Sequence, residues 1–141
     1  MRYRRLSDES GFTLIELLVV MLVIGILAGI AVAIFVTQGG KAQDGAAKSD
    51  ARNLVSHVES CYTTNNTYAT CQTAAQLGQT GLPLGNQPGQ VEVAGADGQS
   101  YTIVARSQSG VAYTIAKSVG SGTSRTCAPA STAGCPSDGG W

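Results

Sequence analysis

The sequence lacks the residue clusters that carry chemistry. It has one histidine among 141 residues, charged residues make up only 13%, and nine basic residues balance nine acidic ones. His57 falls on a predicted helix with no serine or cysteine beside it whose activation as a nucleophile can be argued, so it reads as a solvated helix residue. Carboxylates are sparse and scattered, which leaves no paired acid and base and no calcium loop. Neither an enzyme, a cofactor nor a metal centre is expected. The part after Thr37 carries six basic and six acidic residues, and this balance disfavours strong DNA binding, for which a basic head is expected. The length fits one domain.

What is present is distributed very unevenly. Leu17 to Val36 contains no charged or strongly polar residue and no proline, whereas everything after Thr37 is rich in Gly, Ser, Thr and Gln. Twenty residues at about 1.5 Å rise can cross a hydrocarbon core about 30 Å thick. Arg2, Arg4 and Arg5 precede the run and only Lys41 follows closely. The positive-inside bias therefore places the N-terminus in the cytoplasm and the polar body outside, and Asp8 and Glu9 count for little in that rule. A secretory signal has a shorter apolar region of about 7 to 15 residues. Cutting in Ala28 to Ala31 would also leave apolar Val32 to Val36 at the new terminus. The residue that an ordinary anchor would not carry is Glu16, just inside the apolar segment, where an ionised carboxylate is costly without a partner or access to interfacial water.

Gly11-Phe12-Thr13-Leu14-Ile15-Glu16-Leu17, followed by an unbroken apolar helix, resembles the N-terminus of type IV prepilins and pseudopilins, closely so over Ser10 to Gly29. The resemblance implies that a prepilin peptidase cuts after Gly11 and methylates the new terminal Phe12. Glycine before the cut suits a backbone that must lie extended in the peptidase. Cleavage creates an ammonium on Phe12, four residues from Glu16 and on its face of a helix. The family further implies that Glu16 of an incoming subunit pairs with the Phe12 ammonium of a neighbour and sets the axial register. In an apolar bundle this pairing is selective, because either charge left alone is strongly unfavourable. One departure stands out: many type IV pilins have a proline in the second half of this helix, where Ala33 lies here. Gly25 and Gly29 form a G-x-x-x-G pattern, read as close packing, and they and the Gly39-Gly40 pair each weaken helix by about 1 kcal/mol relative to Ala.

Beyond the glycines Ala47, Ala51, Leu54, Val55, Val58 and Tyr62 recur at intervals of three and four, so a helix presents one apolar stripe as far as about Thr63. Asp44 and Lys48 are spaced for an i to i+4 pair. Gly78, Gly81, Pro83, Gly85, Pro88 and Gly89 punctuate an irregular connection. Val91 to Ala94, Ser100 to Gln108 and Val111 to Val119 then read as three strands of an antiparallel meander, with turns at Asp97-Gly98 and Ser109-Gly110. Tyr101, Ile103 and Ala105 share one face, as do Val111, Tyr113 and Ile115, and the helix stripe is expected to cover such a face. The predicted class is α+β: a long N-terminal helix, membrane-spanning in its first half, packed on a small antiparallel sheet, as in the pilin family. The expected divisions are a leader at 1–11, the membrane and assembly helix at 12–36, its continuation into the head at 37–64, and the loop and sheet head at 65–141.

Cys61, Cys71, Cys127 and Cys135 all follow the span, in a compartment that permits oxidation, and read as two disulfides. Their separations lack the tight hooks of a zinc site. Short loops favour Cys61 with Cys71 and Cys127 with Cys135, while crossed pairs stay open. Function by resemblance is a type IV pilus-like structural subunit, with a type II secretion pseudopilin or a DNA-uptake or adhesion minor pilin as alternatives. The implied partners are prepilin peptidase, other pilin subunits, an inner-membrane assembly platform and membrane lipid, with no specific nucleic acid. The implied location is the cell membrane before assembly, and a pilus or pseudopilus with an extracytoplasmic head after it.

Overall fold

The computed structural model describes residues 11–132 and 134–141. Arg2, Arg4, Arg5, Asp8, Glu9 and most of the expected leader lie outside the described residues. The chain divides into two units at Val36 and Thr37. Its longest element, α1 (Leu14–Asn65, 52 residues), runs without interruption through Gly39 and Gly40. Two adjacent glycines lower helix propensity but remove no backbone hydrogen bond, so they weaken the helix there and do not end it. α1 stops where polar side chains take over its last carbonyls. Thr63 Oγ1 donates to the Ser60 carbonyl at 2.6 Å and Asn65 Nδ2 to that of Cys61 at 3.1 Å. Asn66 then turns left-handed at φ 55°, a conformation that asparagine tolerates better than most residues.

In the unit from Thr37 onward, the connection after α1 contains a single helical turn, α2 (Ala74–Leu77), absent from the sequence expectation. The side chain of Gln76 accepts the backbone N–H groups of Gln72 and Thr73 at 3.0 Å each, which satisfies donors that so short a helix leaves open. Four strands follow: β1 (Val91–Ala96), β2 (Tyr101–Arg106), β3 (Ala112–Ser118) and β4 (Gly122–Ala128). They form an antiparallel meander in the order β1-β2-β3-β4. The fold is therefore α+β with one strand more than the three expected. The Asp97 carboxylate closes the first turn, accepting the N–H groups of Gln99 and Ser100 at 2.9 and 2.8 Å. In the second, Gly110 adopts φ 94°, which glycine enters at little cost.

The two predicted strand faces are both buried: Tyr101, Ile103 and Ala105 on β2, and Val111, Tyr113 and Ile115 at β3. From α1, Ala47, Ala51, Leu54 and Val58 complete the same core, with Val55 and Tyr62 at its edge. Cys61 is bonded to Cys71, which ties the end of α1 to the following loop, and Cys127 to Cys135, which ties β4 to the last loop. Each bridge closes a short loop and stabilises by about 2 to 3 kcal/mol through the unfolded chain.

Polar groups lock the remaining contacts. Glu59 accepts from Tyr68 at 2.8 Å, Tyr101 at 3.0 Å and Lys117 at 2.9 Å. Burial opposes the Glu59 charge, but these donors outweigh it and hold its carboxyl below the usual range. The pair expected between Asp44 and Lys48 is not formed. Asp44 is buried, 4% exposed, and accepts from the Ser109 hydroxyl, while Lys48 lies over the Tyr113 ring. Its carboxylate faces groups 65 and more residues away in sequence, and a buried carboxylate is favoured only with such partners. Burial, with Asp44 alongside, pushes the Tyr113 hydroxyl up to about 12. Gly134 sits so close to both that a Cβ there would overlap the Asp44 carboxylate and the Tyr113 hydroxyl. The hydroxyl itself donates to the Gly134 carbonyl at 2.8 Å.

Candidate processing and assembly site

Gly11, Phe12 and Thr13 precede the helix, and α1 begins at Leu14. The start is set by a reciprocal cap. Thr13 Oγ1 accepts the Glu16 N–H at 3.3 Å, and the Glu16 carboxylate accepts both the Thr13 N–H at 3.2 Å and the Thr13 hydroxyl at 2.9 Å. This is the capping-box arrangement of a Thr followed three residues later by a Glu, and it answers two of the donors that a helix start leaves unpaired. The Glu16 charge also sits in the first turn, where the helix dipole favours an anion.

The expectation that the Phe12 ammonium and Glu16 lie one helical turn apart concerns the cleaved chain. In the uncut chain Phe12 is outside the helix, its nitrogen is an amide bonded to Gly11, and it has no charge to offer. Glu16 turns back to Thr13 instead. The phenylalanine side chain stands 75% exposed beside the Gly11-Phe12 bond. Thr13 is the residue that the sequence reading passed over, although the Thr-x-x-Glu spacing signals its role.

Among the described residues nothing covers the apolar stretch that follows. From Leu14 to Val36 the large apolar side chains are 46 to 83% exposed, a continuous surface far beyond what a protein shows to water. The helix is long and apolar enough to cross a membrane. At Gly25 and Gly29 an added Cβ would meet no atom of the described residues, so no contact among them requires glycine there.

Residues 6–32 match the family of the prokaryotic N-terminal methylation motif. The chain carries a prepilin-type cleavage and methylation segment. The match takes in Gly11, Phe12, the Thr13 and Glu16 cap and more than half of the apolar run. No curated protein matches the chain. The prepilin-type segment, the apolar helix that contains it and the disulfide-bonded body after it fit a membrane-anchored structural subunit. The four cysteines all lie in the second unit. His57 is a half-buried residue of α1, away from the prepilin-type segment in sequence.

Proposed function

We propose that this chain is a type IV pilus-like structural subunit that prepilin peptidase cleaves between Gly11 and Phe12 and methylates on Phe12, and that it polymerises through its N-terminal helix. The observation that carries the reading is a carboxylate at the head of an exposed apolar stretch of helix inside a prepilin-type segment. Before assembly, lipid covers that helix, with the leader in the cytoplasm and the head outside. Afterwards neighbouring subunits cover it.

The capped helix start supports cleavage in a specific way. The scissile bond lies before the first helical residue, in backbone free to extend into a protease, and Gly11 adds no side chain to obstruct it. Cleavage then converts the Phe12 amide to an ammonium. Glu16 of one subunit acquires a counter-charge on another, and each charge leaves its local hydrogen bonds for a pair in an apolar bundle. The chain acts by assembling, with the peptidase, an inner-membrane assembly platform and other pilin subunits as partners.

Intact-mass analysis of the protein from its native host tests this reading. The expected product lacks residues 1–11 and carries one added methyl group on Phe12. A mature chain that keeps the leader refutes it.

A further inference from the structure

Six basic and six acidic residues follow Thr37, so the total charge there is zero, but the fold does not spread the two signs evenly. Arg106 and Lys117 are paired with Glu92 and Glu59 at 2.6 and 2.9 Å. The other four cations, Lys41, Lys48, Arg52 and Arg125, have no carboxylate partner among the described residues, and three of them, Lys48, Arg52 and Arg125, gather around Trp141. The ring centre of Trp141 lies 5.3 Å from the Arg52 guanidinium, 5.7 Å from that of Arg125 and 5.9 Å from the Lys48 ammonium. Lys41 borders the adjoining open groove, of about 380 Å³, together with Lys48, Thr132 and Trp141.

The platform under these charges is well fixed. Trp141 packs edge-on against Tyr113, with centroids 5.4 Å apart, and donates its indole N–H to the Thr126 carbonyl at 2.8 Å. Lys41, Lys48 and Arg52 are placed by helix geometry alone: intervals of seven and four residues put them on one flank of α1, about 10 Å and about 6 Å apart along its axis. Ring contact orients Arg52 and Arg125 without using their N–H groups, which make no side-chain hydrogen bond among the described residues. Two carboxylates oppose the patch. Asp44 is buried and bonded to Ser109, and Asp138 accepts the Gly140 N–H at 3.1 Å in the last loop. Asp50 lies on the opposite flank of α1 by the same spacing.

We propose that this face binds the phosphodiester backbone of a nucleic acid, without reading its bases. A row of cations along a helix, ending at two guanidinium groups with free donor forks, matches a linear chain of phosphates, each able to take paired N–H donors. Cations already cover the Trp141 ring, so base stacking contributes little and the binding is electrostatic. This inference concerns the second unit alone and holds whether or not the leader is cut.

The test uses the full chain in non-ionic detergent, with Arg2, Arg4 and Arg5 replaced by Gln in every form so that only the later cations are read. Fluorescence anisotropy with labelled duplex DNA of about 20 base pairs should show binding whose logarithm falls with log salt at a slope of about −2 to −4, a loss of about 15- to 250-fold between about 50 and 200 mM. K48Q/R52Q should reduce the slope by about two and weaken binding at least about tenfold at the lower salt. Lys41→Gln, at an exposed position with no ring contact, should reduce the slope by about one with the fold intact. Arg106→Gln, on a paired cation elsewhere, should change neither. Absence of binding at low salt, binding indifferent to the patch variants, or equal binding of polyglutamate at matched charge would each overturn the proposal, the last in favour of an acidic protein partner.

Discussion

Within α1 the residues before Thr37 and those after it meet the same physical demand in opposite ways. From Leu14 to Val36 every large apolar side chain is exposed, whereas Ala47, Ala51, Leu54 and Val58 are at most 5% exposed. The later stretch finds its cover inside the chain, in the sheet and behind two disulfides. The earlier one finds none among the described residues, and under the proposed function lipid or other copies supply it. A carboxylate follows the same rule in each place. Glu59 is satisfied by donors of its own head. Among the described residues Glu16 has only Thr13 as a side-chain partner, and in the proposed assembly a neighbour brings the counter-charge.

Truncation tests the contrast most strongly. Leu54→Ala removes a fully buried side chain and should destabilise the second unit by about 2 to 5 kcal/mol. Leu22→Ala, 56% exposed in the native chain, should leave it within about 0.5 kcal/mol of wild type. Denaturant unfolding of the full chain in detergent, followed through the single tryptophan, Trp141, reads the second unit directly. Equal effects of the two changes would erase the distinction.

The disulfides come next. Replacing Cys61 and Cys71 together by Ser should cost about 2 to 3 kcal/mol in the same measurement and leave membrane insertion unchanged. Non-reducing peptide mapping of the native protein should recover Cys61 with Cys71 and Cys127 with Cys135. A Cys61 to Cys127 peptide would contradict the connectivity.

The smallest effect is a pH dependence. The folded pKa of Glu59 is depressed, so its contribution is fully present above the unfolded carboxylate value and is lost as pH falls through the lower folded one. Because the Glu59 and Lys117 pair is more than one-third exposed, its share of stability is below about 1 kcal/mol. Glu59→Gln should flatten the fall in head stability below about pH 4.5, and an unchanged acid profile would remove Glu59 from the account.

The elements legible in the sequence are those that bury one face. The stripe from Ala47 to Val58 and the alternation in β2 and β3 announced themselves because burial imposes a period of 3.6 or 2. β4 gave no such signal. In Gly-Thr-Ser-Arg-Thr-Cys-Ala only Cys127 is buried, and the strand exists through its backbone pairing with β3. Asp44 looked like a helix-surface residue because its partner, Ser109, is 65 positions away and was invisible to local spacing. α2 is too short for a period to appear. At the N-terminus the glycine, phenylalanine, glutamate and apolar run were all readable in order. The cap was readable too, as Thr13 three residues before Glu16, and what it adds is that Glu16 is engaged within its own chain in the uncut form. Equal numbers of charges could not reveal that Lys48, Arg52 and Arg125 converge on Trp141, because that depends on which residues the fold places side by side.

The central claim is that Glu16 passes from its own helix cap to a neighbour's ammonium, and filament formation by Glu16 variants measures it most directly. Glu16→Ala should insert in the membrane at least as well as wild type and should still be cleaved, since Gly11, Phe12 and the apolar run are untouched. Imaging and quantifying filaments from cells with wild-type amounts of processed subunit should show a loss of about tenfold or more, because the Phe12 ammonium would enter the bundle without a counter-charge. Glu16→Gln, which keeps the shape but not the charge, should fail similarly. Normal filaments from either variant would contradict the account and leave Glu16 as a helix cap alone.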